Sequence, residues 1–527
     1  MLRAREVVGS ALLGCRRASA RRRIAGVIAL ALTPLCLFAQ AADETRRIYH
    51  QRYAARMEPL LCEVVGFRTE AGHPDAVSQQ ARWIERQAQA LGLIYREAGP
   101  VTEVELAGPP GAPVLGLVVH GDIQPAGESE WTVPPFSCTR KDAYIYGRGV
   151  ADDKGPLVQA LLAMAALRDS RWPLTHTIRL LVGSDEESTN LDIATYLKSH
   201  RAPDLSLVLD SAFPVVVGEK AWDRLDVTAA DPYRPRGTTG VPPLWEIIQL
   251  DAGIGASIVP PRATARLRRV PNLPVNPEDI RGICPISMPQ GYRCEAVQDG
   301  SDIKVTVTGR AAHAGVNIEG GRNALVALAN IIRAKTVFSG ARDLLEFASI
   351  AGKDLYGTGL GLTANDPLWG RYAVNVATLK PAENGALTLA INLRRPPPTT
   401  HQQIQAYLRK FVTDFNREHH TSLEFGGYFQ DEPLSFDPNS KIVKRLVADY
   451  ARATGQTEPP AISGGATYAK RLPHAIAFGM WFPGKPYPGH DVDERILVAD
   501  LDRGVDVLLE ALGDIACSPP IREPFRP

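Results

Sequence analysis

The chain has 527 residues, too many for one hydrophobic core, so two domains or more are expected. A hydrophobic content of 45% with 22% charged residues describes an ordinary soluble globular protein. The net charge of +1 leaves no electrostatic footprint for nucleic acid or an anionic membrane, so the expected partner is a small molecule.

The first residues have the pattern expected of a targeting segment. Arg16, Arg17 and Arg21 to Arg23 precede the apolar run Ile24 to Phe38, and Ala39-Gln40-Ala41 follows. This reads as a secretory signal peptide over residues 1–41, cleaved near Ala41, with a periplasmic or secreted mature protein. A permanent anchor is disfavoured because the run is short and contains Pro34, so no stable membrane insertion is expected after cleavage. Cys62, Cys138, Cys284, Cys294 and Cys517 remain in the mature chain. Cys284 and Cys294 are the pair closest in sequence, and the odd count leaves at least one thiol free.

Ala81 to Leu91 predicts an amphipathic helix stopped by Gly92, and Val114 to Val119 a buried strand ending at His120. Next comes Tyr146-Gly147-Arg148-Gly149-Val150-Ala151-Asp152-Asp153-Lys154-Gly155-Pro156, two adjacent carboxylates ahead of the apolar helix Leu157 to Leu167. Acidic groups suit a helix start, and neighbouring side chains at a tight turn point different ways, which suits holding a cation. The strand Thr177 to Val182 then leads to Ser184-Asp185-Glu186-Glu187. A helix over Leu191 to His200, capped by Asn190, is followed by the strand Leu205 to Leu209 and Asp210. Alternating strands and helices imply an α/β fold with a mostly parallel sheet covered on both faces. From about Trp222 to Arg395 the character changes to alternating strands (Ile303 to Val307, Val374 to Leu379, Leu387 to Asn392) around one helix, Asn323 to Ala334. Pro396-Pro397-Pro398 marks the expected return, with helices near His401 to Glu418, Lys441 to Thr454 and Leu497 to Ile515. The predicted organisation is a first catalytic part over 42–222, an inserted α+β domain over 223–395, a second catalytic part over 396–517, and a frayed tail over 518–527.

His120, Asp152, Glu187 and Asp210 all fall at the C-terminal ends of apolar strands, the edge where open α/β sheets bind ligands. Each has a bland reading alone: a hydrogen-bonded histidine, a helix cap, a solvated loop glutamate, a turn. Those readings would have to hold at all four places at once. The ordered set His120-Gly121-Asp122, Gly-Arg-Gly-x-x-Asp-Asp-Lys-Gly-Pro, Asp185-Glu186-Glu187 and Asp210 resembles the aminoacylase, carboxypeptidase G and carnosinase group of di-zinc metallopeptidases. Trp131, Pro134-Pro135-Phe136, Gly309-Arg310-Ala311-Ala312-His313, Asn392-Leu393-Arg394, Gly464-Gly465-Ala466-Thr467-Tyr468-Ala469 and His490 with Asp493-Glu494 extend the resemblance over nearly the whole mature chain. Phe213-Pro214-Val215, Glu219-Lys220 and the long insertion look most like bacterial dipeptidases of the PepV type.

The resemblance implies a zinc-peptidase catalytic domain with the insertion as a lid, and two zinc ions per chain, with cobalt or manganese as the alternatives. His120 and Asp210 would hold one ion, Glu187 and His490 the other, and Asp152 would bridge them. Imidazole and carboxylate ligands suit zinc, and an incomplete protein shell leaves room for water. Asp122 would orient the His120 ring. Glu186 would be the general base, and His313 a lid histidine stabilising the oxyanion. Arg394 would grip a substrate carboxylate, with Arg395 as a competitor for that role. Gly464, Gly465 and Thr467 would shape the wall that receives the substrate backbone. The Asp152–Asp153 peptide would be cis, with Asp153 turned away from the metals. Two positions depart from the family pattern: Gln124, where a hydrophobic residue is common, and Ser257-Ile258-Val259-Pro260, where Asn-x-Val-Pro is common. The implied function is hydrolysis of dipeptides by a monomer that supplies His313 in cis. The alternative is an N-acyl amino acid amidohydrolase using the same chemistry. Neither G-x-S-x-G nor H-E-x-x-H is present.

Overall fold

The structure is a computed structural model that describes residues 42–127, 131–236, 244–270 and 274–521. The signal-peptide reading of 1–41 lies outside the described residues. Among those described, no helix is long and apolar enough to cross a membrane.

The first body is built on a nine-stranded sheet. Its parallel centre runs Thr177–Gly183, Val114–His120, Leu205–Val208 and Ala475–Ala477. These strands are largely apolar on both faces, as a parallel sheet covered on both sides requires, with Arg179 and Ser206 among the polar exceptions. The helix Lys154–Ser170 is buried almost all round, which is why its sequence lacks a polar stripe. It packs against Val498–Ala516 and Met57–Val65. Register positions the site. His120 pairs with Gly183, and Val118 pairs with Val208, so the residues just after each strand emerge at one level of one edge.

The second body is an eight-stranded sheet, antiparallel throughout. It runs Arg293–Asp299, Asp302–Thr308, Arg262–Val270, Leu244–Ala252, Ala373–Pro381, Leu387–Arg395, Ala221–Ala229 and Glu424–Asp431. Strict alternation of burial along Ala221–Ala229 shows one face against a core and one toward solvent. The helices Ala324–Ile332, Gly340–Ala351 and His401–His419 contribute to that core.

Several sequence expectations are corrected here. The inserted domain does not end at Arg395: Ile404, Leu408, Val412 and Phe415 pack into the second core, and Glu424–Asp431 pairs with Ala221–Ala229. The chain rejoins the first sheet at Leu434–Ser435. The helix predicted over Leu191 to His200 is only Asp192–Tyr196, and Asn190 does not cap it. Instead Asp192 turns back to accept the Ser184 and Asp185 N–H groups, holding the loop against the site. The helix at Ala81 starts earlier, at Pro74, a residue suited to a first turn. The start of the tail is docked rather than frayed: Ser518 is buried and Ile521 packs on the first core. Cys284 pairs with Cys294 as the spacing suggested, Cys62 pairs with Cys138, and Cys517 is free.

Candidate metal centre and active site

The strand Val114–His120 delivers His120 to the sheet edge, fully buried. Its Nδ1 lies 3.0 Å from the Asp122 carbonyl oxygen, which can only accept, so Nδ1 carries a proton and Nε2 is left for the cluster. That Nε2 lies 3.1 Å from Asp152 Oδ1 and 3.8 Å from Asp210 Oδ2. On the other side, His490 Nε2 lies 3.2 Å from Asp152 Oδ2 and 2.9 Å from Glu187 Oε1. The two oxygens of Asp152 therefore face two separate groups, His120 with Asp210 and His490 with Glu187. The sets His120, Asp152, Glu187 and His120, Asp153, Asp210 each bring donor atoms within 4.8 Å of one another.

The electrostatics fit a cation-binding cluster. Burial works against charge on His120, yet the nearby carboxylates of Asp122, Asp152 and Asp210 raise its pKa well above the usual value. His490 is likewise pushed up to about 10: burial opposes it, and Glu187 and Asp152 outweigh burial. Burial raises Asp210 and Glu186 well above the carboxylate range, with neighbouring carboxylates adding to it. Carboxylates crowd beyond what the imidazoles can balance, and a donor set of imidazole nitrogens and carboxylate oxygens is what zinc and related divalent ions take.

The Asp152–Asp153 peptide is cis, as the resemblance implies. Asp153 does not turn fully away from the cluster. Its Oδ2 accepts the His120 main-chain N–H at 3.1 Å, which fixes the end of that strand. Although Asp153 directly precedes the helix, its side chain makes no capping hydrogen bond, so the helix-cap reading fails. Asp122 also differs from expectation. Its carboxylate is 3.6 Å from His120 Nδ1 and instead accepts the N–H groups of Glu186 and Glu187, at 3.2 and 2.9 Å. Asp122 thus orients the ring through its carbonyl and holds the two glutamates through its side chain.

His313 comes from the second body and stacks on His490, with ring centroids 4.3 Å apart. Its Nδ1 accepts the N–H groups of Gly315 and Val316, at 2.9 and 3.0 Å. The ring proton must then sit on Nε2. Burial, helped by the charges of His490 and Arg394, lowers its pKa well below the usual value, so the ring is a neutral donor. Arg394 is buried, and among the described residues no carboxylate is hydrogen-bonded to it: its Nε donates to Asn392 Oδ1 at 3.0 Å and its Nη2 to Ser257 Oγ at 3.1 Å. Burial lowers it to about 10. Arg395 is excluded as a competitor, because Asp223 holds its guanidinium at 2.8 Å. Ser257, the departure noted in the sequence, also accepts from Trp222 Nε1 at 3.0 Å and so anchors Arg394.

Asp152, Glu186, Glu187, Asp210, His313, Arg394 and His490 line one cavity of about 910 Å³ between the two bodies, with Trp222, Trp369 and Tyr372 among its walls. Gly464 and Gly465 line it. Thr467 also borders it, but its hydroxyl and N–H both donate to Glu219, at 2.7 and 3.1 Å, so its polar groups serve the fold. Gly464 and Gly315 touch across the two bodies: a Cβ on Gly464 would lie 1.9 Å from the Gly315 oxygen. Gly464→Ala is expected to push the His313 loop away from the cluster and lower kcat/KM by about 100-fold, with bound metal unchanged. Steady-state kinetics alongside metal analysis checks this.

Sequence reasoning missed the role of Glu494. Its buried carboxylate takes Arg148 Nη1 at 2.9 Å and the N–H groups of Gly149, Ala151 and Asp152 at 3.1, 2.9 and 3.1 Å. It ties the His490 loop to the Asp152 loop. The motif pair Asp493-Glu494 was a signal for it, but only the fold shows what it holds.

The sequence profile described as peptidase family M20/M25/M40 matches residues 116–514. The chain's relatives include several that bear the name "Putative dipeptidase". One, YtjP of Bacillus subtilis (strain 168), is 27% identical over 77% of this chain and 84% of its own length. Another, SH1171 of Staphylococcus haemolyticus (strain JCSC1435), is 28% identical over 76% of this chain and 83% of its own length. The structure of human carnosine dipeptidase 1 superposes with a TM-score of 0.55 at 13% identity, over 90% of this chain and 98% of that one, which shows a shared fold.

Proposed function

Because the chain belongs to peptidase family M20/M25/M40 and is a hydrolase, we propose that it is a zinc-dependent dipeptidase. The observation that carries this reading is the division of Asp152, with one oxygen toward His120 and Asp210 and the other toward His490 and Glu187. In this reading His120 and Asp210 would hold one zinc ion, Glu187 and His490 would hold the other, and Asp152 would serve both. When bound, the ions polarise the scissile carbonyl and bring the pKa of water toward neutrality.

The chain's own residues then divide the work. Glu186, fixed at its main chain by Asp122, takes the proton of the attacking water and passes it to the leaving amine. His313 donates from Nε2 to the oxygen on which negative charge develops. Arg394, with no carboxylate hydrogen-bonded to it among the described residues, binds the free carboxylate of the substrate in bidentate fashion. Both relatives' names support a dipeptide substrate. His313 reaches His490 within one chain, which supports a working monomer. The two disulfides support an oxidising compartment such as the periplasm.

The test compares free dipeptides with N-acetyl and N-succinyl amino acids on the zinc-loaded protein. Hydrolysis of the dipeptides is expected. Turnover of the N-acyl compounds alone would establish the amidohydrolase instead.

A further inference from the structure

Gln124 stands four residues after His120, on the loop that leaves the strand Val114–His120. It is buried, 7% exposed, and its Nε2 donates to Glu187 twice: to Oε2 at 2.9 Å and to the main-chain oxygen at 3.2 Å. Both hydrogens of the amide are thus committed to one residue. Chemistry fixes this orientation, because the flipped amide would set its oxygen against a carboxylate and a carbonyl, neither of which donates. The other carboxylate oxygen of Glu187, Oε1, is the one that faces His490 Nε2 at 2.9 Å. On the far side, the Gln124 oxygen faces Gly255 of the second body, where an added Cβ would lie 3.6 Å away.

We propose that Gln124 is a positioning residue for the ion shared by Glu187 and His490. It claims one oxygen of Glu187, leaves the other to the ion, and stops the carboxylate from rotating. The inference rests on the two-ion reading above. A hydrophobic side chain at this place offers no donor, so the carboxylate would be free to turn and to ligate through either oxygen or both. Holding it in advance removes that freedom before the ion arrives, and an outer hydrogen-bond partner of this kind typically contributes about 10- to 100-fold in metal affinity.

The test is a zinc titration of the full chain against a chromophoric chelator, for the wild type, Gln124→Met and Gln124→Leu. Methionine keeps the length and removes the donor, and leucine is a second apolar replacement should methionine perturb packing. Two ions are expected in the wild type. In both variants one ion should weaken by about 10- to 100-fold while the other stays within about threefold, and the thermal midpoint of the metal-free protein should not move. Wild-type affinity for both ions in both variants would overturn the proposal, as would equal weakening of both. A fall in the metal-free midpoint that matches the loss of affinity would also overturn it, assigning Gln124 to folding. A wild-type protein that takes up fewer than two ions would instead remove the two-ion reading itself, before any variant is compared.

Discussion

Glu186→Gln is expected to lower kcat by about a thousandfold, within the range that a positioned general base contributes, while both zinc ions stay bound. Glutamine keeps the shape and the main-chain bonds to Asp122, so neither the Asp185 loop nor the neighbouring ligand Glu187 should move. What is lost is the ability to take a proton. Glu186 suits that task because burial, with the charges of Glu187 and Asp210, raises its proton affinity, although His120 opposes the shift. KM should change little, since in the proposed reading Arg394 rather than Glu186 meets the substrate carboxylate. Steady-state kinetics with metal analysis on the same preparation checks both halves. Full activity in the variant would remove Glu186 from the mechanism.

Asp152→Asn should be more damaging, because it strikes both ions together. Asparagine is nearly isosteric but presents one oxygen instead of two and no negative charge. Asp152 lies against imidazole on both sides, at 3.1 Å from His120 and 3.2 Å from His490, and burial is outweighed there by those contacts, which hold its pKa well below the usual carboxylate value. The variant should lose affinity for both ions and lose turnover to background. Asp210→Asn, by contrast, should weaken only the ion shared with His120. Loss of one ion alone in Asp152→Asn would show that this carboxylate serves a single site.

Much of the site was legible in the sequence because its residues sit where strand periodicity ends. His120, Glu187 and Asp210 each follow an apolar run, and parallel pairing brings such ends to one edge regardless of their spacing along the chain. Contacts between distant segments carried no such mark. Gln124 to Glu187, Glu494 to the Asp152 loop and the Cys62–Cys138 disulfide depend on how the chain returns on itself. The sequence also could not say which atoms of Asp122 do what: its carbonyl turns to the ring and its carboxylate to the loop. Thr467 lay in a motif read as a substrate wall, yet its polar groups are used by Glu219. The domain boundary failed for a related reason. Three consecutive prolines look like a linker, but the amphipathic helix His401–His419 buries its apolar stripe in the second core. A stripe does not say which core it will meet.

The central claim is that Asp152 joins two ion sites. It is tested most directly by anomalous diffraction at the zinc edge from crystals of the full chain grown with zinc. Two peaks are predicted, one within ligand distance of His120, Asp152 and Asp210, the other within ligand distance of Asp152, Glu187 and His490. A single peak, or peaks that leave Asp152 out of either coordination shell, would contradict it.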